Sequence, residues 1–163
     1  MIKVLFVCLG NICRSPLAEA VFNHLAKQRG LQDRLSCDSA GTSTYHIGEP
    51  PDERTFEVAE KNGLTLNHLG RQIRADDFQE FDYILAMDES NYRDILQFAK
   101  NRGVKLRDGR VVKLRKFENS GANLDVPDPY YGGMRGFDQV YDILNRSITG
   151  FLDYLEEHDL KKE

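Results

Sequence analysis

The stretch Val4-Leu-Phe-Val-Cys-Leu-Gly-Asn-Ile-Cys-Arg-Ser-Pro-Leu-Ala18 constrains this chain more than any other. An apolar run, Ile2 to Val7, ends at Cys8, and an amphipathic helical pattern follows Ser15 and Pro16. The run reads as a buried strand of the kind found inside parallel sheets. Ser15 is placed to cap the helix. Pro16 suits its first position, where a missing N–H costs no intrahelical bond. Leu9 to Arg14 thus links a strand's carboxyl end to a helix's amino end, where exposed amides and the helix dipole favour an anion.

Two side chains make this more than a generic anion cradle. Cys8 starts the loop and Arg14 ends it, so a ring-shaped loop brings both to one centre. Arginine binds phosphate oxygens with a planar, bidentate fork. A cysteine aimed into a ring of amides beside a guanidinium is expected to ionise readily, and the thiolate is the nucleophile. Lowering a thiol pKa from about 8.5 to about 5 requires roughly 5 kcal/mol of preferential thiolate stabilisation. A helix dipole supplies ~0.3–1 and at most ~2 kcal/mol. The loop amides, a hydroxyl such as Ser15, and Arg14 must supply the rest.

Size and charge narrow the class. A chain of 163 residues with 40% hydrophobic and 29% charged residues is expected to form one α/β domain over residues 1–163. A net charge of −4 and the lack of a long basic run argue against nucleic acid as a partner. Three cysteines, Cys8, Cys13 and Cys37, do not suggest a disulfide framework. His24, His46, His68 and His158 are scattered, so no metal-ligand spacing is visible and no metal or cofactor is expected. No stretch approaches a membrane span or a signal peptide, and a cytoplasmic location fits a reactive thiolate.

Along the chain, helices are expected over about 16–29, 51–62, 89–101 and 137–156, with a short turn at 75–78. Strands are expected over 2–8, 35–40, 81–87 and 110–114. In the first helix Glu19, Asn23, Lys27 and Gln28 are expected to face solvent, and Glu89 or Ser90 to cap the third. The alternation predicts a parallel sheet covered on both faces, with ligands at the strands' carboxyl ends. The loop 41–51 should then lie beside residues 9–14. Tyr45, within it, has no obvious core to enter. Asp128, between Pro127 and Pro129, has its backbone restrained on both sides. On local sequence alone, Asp-Pro-Tyr-Tyr-Gly reads at least as well as a turn.

Cys8-Leu9-Gly10-Asn11-Ile12-Cys13-Arg14-Ser15 resembles the signature loop of the low-molecular-weight protein tyrosine phosphatases. The resemblance implies a flavodoxin-like fold: a four-stranded parallel sheet, helices on both faces, and a phosphate-binding loop after the first strand. It implies Cys8 as nucleophile, Arg14 as phosphate clamp, and Asp128 as general acid and base, since the family's acid sits in a loop of this Asp-Pro-Tyr-Tyr pattern. Leu9 to Cys13 would bind the phosphoryl group, and Tyr45, Tyr130 and Tyr131 would flank the aryl ring. Ser15, Ser39, His68 and Asp88 match positions that brace the loop. The implied partners are tyrosine-phosphorylated proteins, with inorganic phosphate or similar oxyanions as product and inhibitor. A monomer or weak dimer is expected.

Related folds supply alternatives. An arsenate reductase with a similar loop needs a further resolving cysteine pair, which Cys37 alone does not provide. A phosphoarginine phosphatase is recognised by threonine where Ile12 stands, so Ile12 favours an aryl phosphate. A non-enzymatic phosphotyrosine-binding module would not need Cys8, Arg14 and Asp128 together. A dinucleotide site lacks its glycine pattern. Cys13, in the same loop as Cys8, is placed to trap an oxidised Cys8 as a disulfide and so shield it from irreversible oxidation. After peroxide treatment, Cys13→Ser is expected to regain less activity on reduction than wild type, and equal recovery would remove the protective role.

Overall fold

The structure, a computed structural model, describes residues 1–118 and 125–160. In chain order it contains β1 (Ile2–Cys8), α1 (Arg14–Gln28), β2 (Leu35–Gly41), α2 (Glu53–Lys61), α3 (Asp77–Glu80) and β3 (Tyr83–Ala86). These are followed by α4 (Glu89–Asn101), β4 (Val111–Lys113), a 3₁₀ turn (Leu114–Phe117) and α5 (Met134–His158). All pairings are parallel, in the order β2-β1-β3-β4. This is the flavodoxin-like α/β arrangement that the sequence implies.

Strand alternation divides the interior. Val4, Phe6 and Cys8 of β1, with Leu85 of β3, face one layer that contains α1 and α5. Leu5 and Val7, with Ile84 and Ala86, face the other, built on Phe78 of α3 and Ile95 and Ala99 of α4. Apolar residues on both faces explain the near-continuous hydrophobic run of β1. The chain leaves β1 to form β2 on one side and β3 on the other. This topological switch opens a crevice at the carboxyl end of β1.

Several boundaries differ from the sequence expectation, and two differences matter for the site. Helix α1 begins at Arg14, so Ser15 lies inside its first turn rather than capping it. Pro16 is then the third helical residue, which is tolerated because the first four N–H groups have no intrahelical acceptor. At α4 the cap is Asp88 itself, whose Oδ1 accepts from Asn91 N at 2.7 Å. Glu19 does not face solvent. Its carboxylate is half-buried against β2, where it accepts from Ser39 Oγ at 2.7 Å. Strands β3 and β4 are shorter than expected and α5 longer at both ends. Part of the expected loop between β4 and α5, residues 119–124, lies outside the described residues.

Helix α5 presses against the 3₁₀ turn. A Cβ on Gly150 would meet the carbonyl oxygen of Phe117, a backbone atom that cannot swing aside. Nearby, Glu118 accepts from Arg115 Nε, Arg146 Nε and Ser147 Oγ at 2.6, 2.9 and 3.1 Å. Burial works to raise the Glu118 pKa, yet these donors hold it down at about 2. Helix propensity alone would make Gly150→Ala stabilising by about 1 kcal/mol. The close approach reverses the sign, and a loss of about 1–3 kcal/mol is expected from overpacking. Urea unfolding reads this directly, and a midpoint that stays or rises would refute the contact.

Candidate active site

The loop between β1 and α1 is shaped by Asn11. Its φ of 59° is left-handed, a region open to few residues besides glycine and asparagine. The side chain, 1% exposed, secures that turn with four hydrogen bonds. Nδ2 donates to Ser15 Oγ (2.8 Å) and Ser39 Oγ (3.0 Å). Oδ1 accepts from Arg71 N (3.0 Å) and His68 Nε2 (2.7 Å). The amide's bonding capacity is fully used.

Cys8 lies at the centre of this loop. Asn11 N donates to its Sγ at 3.3 Å, and Ser15 Oγ stands 2.9 Å away. Ser15 Oγ accepts from Asn11 Nδ2, and its own proton has two acceptors in reach, the sulfur at 2.9 Å and the carbonyl of Ala40 at 3.5 Å. Cys13, also buried, has the opposite environment. Burial, with Asp52, Cys8 and Asp128 nearby, pushes its thiol up to about 12. The Thr55 hydroxyl offsets this only in part, whereas Cys8 has both a backbone N–H and the Ser15 hydroxyl beside its sulfur.

Arg14 is 3% exposed. Its Nη1 donates to Asp88 Oδ2 (2.7 Å) and to the carbonyl of Val126 (2.9 Å). Both Nη1 protons are thereby committed, and Nε and Nη2 remain as the fork for a phosphoryl group. Burial works to lower the Arg14 pKa, but Cys8, Asp88 and Asp128 together raise it. Val126 N in turn donates to Met87 O at 2.7 Å, which fastens this loop to the end of β3.

Asp128 follows on that loop. Its Oδ2 lies 3.8 Å from Arg14 Nη2, and its Oδ1 accepts from Tyr130 N at 3.0 Å. The carboxylate thus forms the turn expected of Asp-Pro-Tyr-Tyr and at the same time stands beside Arg14. Arg54 of α2 clamps the segment beyond it, donating to Tyr130 O (2.9 Å) and Gly132 O (2.7 Å). Arg54 is itself held by Asp52, the cap of α2, and lies over the Phe137 ring at 4.6 Å.

These groups meet in one cleft of about 250 Å³. Cys8, Leu9, Gly10, Ile12, Cys13 and Arg14 line its floor. Tyr45, Asp128, Tyr130 and Tyr131 line its sides, with Tyr45 and Tyr131 well exposed at the rim. Loop 41–51 packs beside the floor as expected, through Thr42 N to Cys8 O and Ser43 N to Leu9 O. Gly41 permits that approach, since Leu9 O lies 2.7 Å from where its Cβ would stand.

The family model for low-molecular-weight phosphotyrosine protein phosphatase matches residues 3–163. A Gallus gallus protein of that name is 47% identical over 151 residues, 93% of this chain and 94% of that one. The crystal structure of an Entamoeba histolytica protein tyrosine phosphatase with Hepes in its active site superposes with a TM-score of 0.88 at 39% identity, covering 96% of this chain and 98% of that one. A Drosophila arginine phosphatase superposes with a TM-score of 0.89 at 38% identity, covering 97% and 100%. The chain belongs to the low-molecular-weight phosphotyrosine protein phosphatase family.

In this low-molecular-weight phosphatase, Ser15, Ser39 and His68 bond the Asn11 side chain, and Asp88 bonds Arg14. Sequence reading missed Glu19, Arg54 and Arg71. Arg71 reaches Asn11 through its backbone N–H, while its side chain bonds Asp38 and the fully buried Asp77. Burial raises the Glu19 pKa to about 7, with Asp38 adding to the shift. Burial also lowers that of His68. Ser43 and His46, from the loop expected beside the site, also line the cleft.

A hydrogen bond to an ionised group contributes about 1.5–3 kcal/mol. Ser15→Ala is therefore expected to slow iodoacetamide alkylation of Cys8 roughly ten-fold or more near pH 6. An unchanged rate would show that the hydroxyl does not serve the sulfur.

Proposed function

We propose that this phosphatase hydrolyses protein phosphotyrosine and small aryl phosphates through a phosphocysteine formed on Cys8. The observation that carries the reading is the convergence of Cys8, with Asn11 N and Ser15 Oγ beside its sulfur, the half-committed guanidinium of Arg14, and Asp128 in one cleft.

The phosphoryl oxygens sit among the amides of residues 9–14 and the free edge of Arg14, which stabilise charge spread over the equatorial oxygens. The Cys8 thiolate attacks phosphorus opposite the ester oxygen. Phenolate leaves as the base of an acid with pKa near 10. Asp128 donates its proton to that oxygen, a contribution of about 10²–10⁴ in rate. As a carboxylate, Asp128 then takes a proton from the water that attacks the phosphocysteine. Cys8 departs as a thiolate, with Ser15 ready to donate to it, and inorganic phosphate is released. Phosphate and similar oxyanions compete for the same cradle. The chemistry requires no metal or cofactor.

Ile12, Tyr45, Tyr130 and Tyr131 give the cleft apolar and aromatic sides, which suit an aryl ring. Residues 1–163 act as one phosphatase domain, working on tyrosine-phosphorylated proteins in cytoplasmic signalling as a monomer or weak dimer. Among the described residues no helix is long and apolar enough to cross a membrane.

Cys8→Ser is expected to be inactive. Asp128→Ala should lose ~10²–10⁴ in kcat with phosphotyrosine but much less with a p-nitrophenyl ester, whose leaving group needs little protonation. Equal losses on both would remove Asp128 from the acid role. Faster turnover of phosphoarginine than phosphotyrosine by wild type would overturn the substrate assignment.

A further inference from the structure

The first turn of α2 and its cap touch both halves of the catalytic machinery. On one side, Ile12 O of the phosphate-binding loop accepts from Asp52 N at 2.9 Å and from Thr55 Oγ1 at 3.0 Å. On the other, Arg54 donates from Nη2 to Tyr130 O at 2.9 Å and from Nη1 to Gly132 O at 2.7 Å. Those two carbonyls belong to the turn that follows Asp128. The loop that carries the nucleophile and the loop that carries the acid are thus fastened to one helical turn.

The guanidinium is aimed before it meets the acid loop. Asp52 Oδ1 accepts from Arg54 Nε and Oδ2 from Nη2, both at 3.0 Å, and Oδ1 also accepts from Arg54 N at 2.9 Å. This two-pronged pairing fixes the plane of the fork. The rings of Phe137 and Tyr130 lie 4.6 and 5.6 Å from its centre. Arg54 is not among the residues that line the catalytic cleft, so it acts on the turn and not on bound substrate.

Asp128 needs such a fastening. Upstream, the loop is held at Val126, whose N–H donates to Met87 O and whose carbonyl accepts from Arg14. Pro127 and Pro129 narrow the backbone between the anchors, but they do not place the turn against the cleft. Downstream, Tyr130 is gripped at both ends: its N–H donates to Asp128 Oδ1 at 3.0 Å, and its carbonyl accepts from Arg54. Gly132 N closes the turn on Pro129 O at 3.0 Å. The position of the fork is therefore passed through a single residue to the carboxylate.

We infer that Arg54 is a positioning residue for the general acid: held by Asp52, it grips the Tyr130 and Gly132 carbonyls and so sets where the Asp128 carboxylate stands relative to Cys8. This role rests on the acid function proposed above for Asp128. Without Arg54 the acid hinges at Val126, and a displacement of about 1 Å can lower a rate ~10²-fold. The phosphate-binding loop keeps its own bonds to Asp52 N and Thr55, so nucleophile and phosphate cradle are preserved.

The test uses aryl phosphates whose phenols differ in pKa, read as kcat/KM, which covers the steps up to departure of the phenol. Arg54→Met should lower kcat/KM for phosphotyrosine about ten-fold or more, and for the p-nitrophenyl ester by less than about three-fold. Inhibition by inorganic phosphate should stay unchanged. Added to Asp128→Ala, Arg54→Met should lower kcat/KM no further, because the group it positions is gone. Asp52→Asn keeps a capping side chain while loosening the fork. It should show the same leaving-group-dependent loss more weakly, and it decides the matter if Arg54→Met fails to fold. Equal losses on both esters, or a full further loss in the Asp128→Ala chain, would overturn the positioning role. A leaving-group-dependent loss in Asp128→Ala but in neither Arg54→Met nor Asp52→Asn would overturn this role alone. No such dependence in Asp128→Ala would remove the acid function and this role with it.

Discussion

The fully bonded side chain of Asn11 is the constraint on which the rest of the site depends. Residues 9–14 must turn their amides inward, and a left-handed residue in mid-loop helps achieve this. For most non-glycine residues that backbone costs about 1–3 kcal/mol and persists only where surroundings enforce it. Here four hydrogen bonds do so, and together they reach three parts of the fold: α1, β2 and, at two residues, the segment after α2. The reactive loop is thus suspended from groups distributed over residues 15–71, three side chains and one backbone N–H, although its own sequence is only a few residues long. Glycine would adopt the turn at less cost but would leave Ser15, Ser39 and His68 without their common partner.

Arg14 poses a different problem. A guanidinium buried at the base of a cleft needs compensating partners. Asp88 and the Val126 carbonyl provide them on one nitrogen only, leaving the other edge for substrate. Asp88 serves twice, since its second oxygen caps α4. One carboxylate therefore fixes both a helix start and the plane of the phosphate clamp. The Val126 carbonyl adds a further link: the loop bearing Asp128 cannot leave the β3 end without releasing a bond to Arg14. Acid and clamp are coupled through two consecutive segments of backbone.

The fold and the central chemistry were legible because their signals are local. The apolar run of β1, the Cys8-to-Arg14 spacing and the stripes of α1 and α5 each lie within one element. Ser15 shows how a local signal misleads. A hydroxyl before proline ordinarily reads as a cap, but here the helix starts earlier and the hydroxyl serves the sulfur and Asn11. Glu19 misled for a similar reason. Its helical position predicts solvent, yet an edge strand leaves room beside α1 for a polar layer of Ser39 and His68. Arg54 and Arg71 carried no signal, because their partners are backbone atoms and carboxylates distant in sequence or hidden by a turn. The cluster of Glu19, Asp38 and His68 is the extreme case. Residues 19, 38 and 68 share no spacing pattern, and only the crossing of three elements relates them.

The position of β2 at the edge of the sheet explains why this polar layer exists. A parallel strand at the edge exposes backbone groups that must be covered. The segment after α2 does this at the end of β2: Gly41 N donates to Arg71 O and Ile73 N to Gly41 O, both at 2.8 Å. That short continuation of the sheet fixes Arg71, whose N–H then meets Asn11 and whose side chain meets Asp38. His68, three residues earlier, is brought against Ser39 and Glu19 by the same docking. Covering a sheet edge and bracing a catalytic loop are thus one structural act. A substitution that frees residues 68–71 from β2 would disturb the phosphate cradle first, whereas Ile73, two residues on, belongs to the hydrophobic core itself.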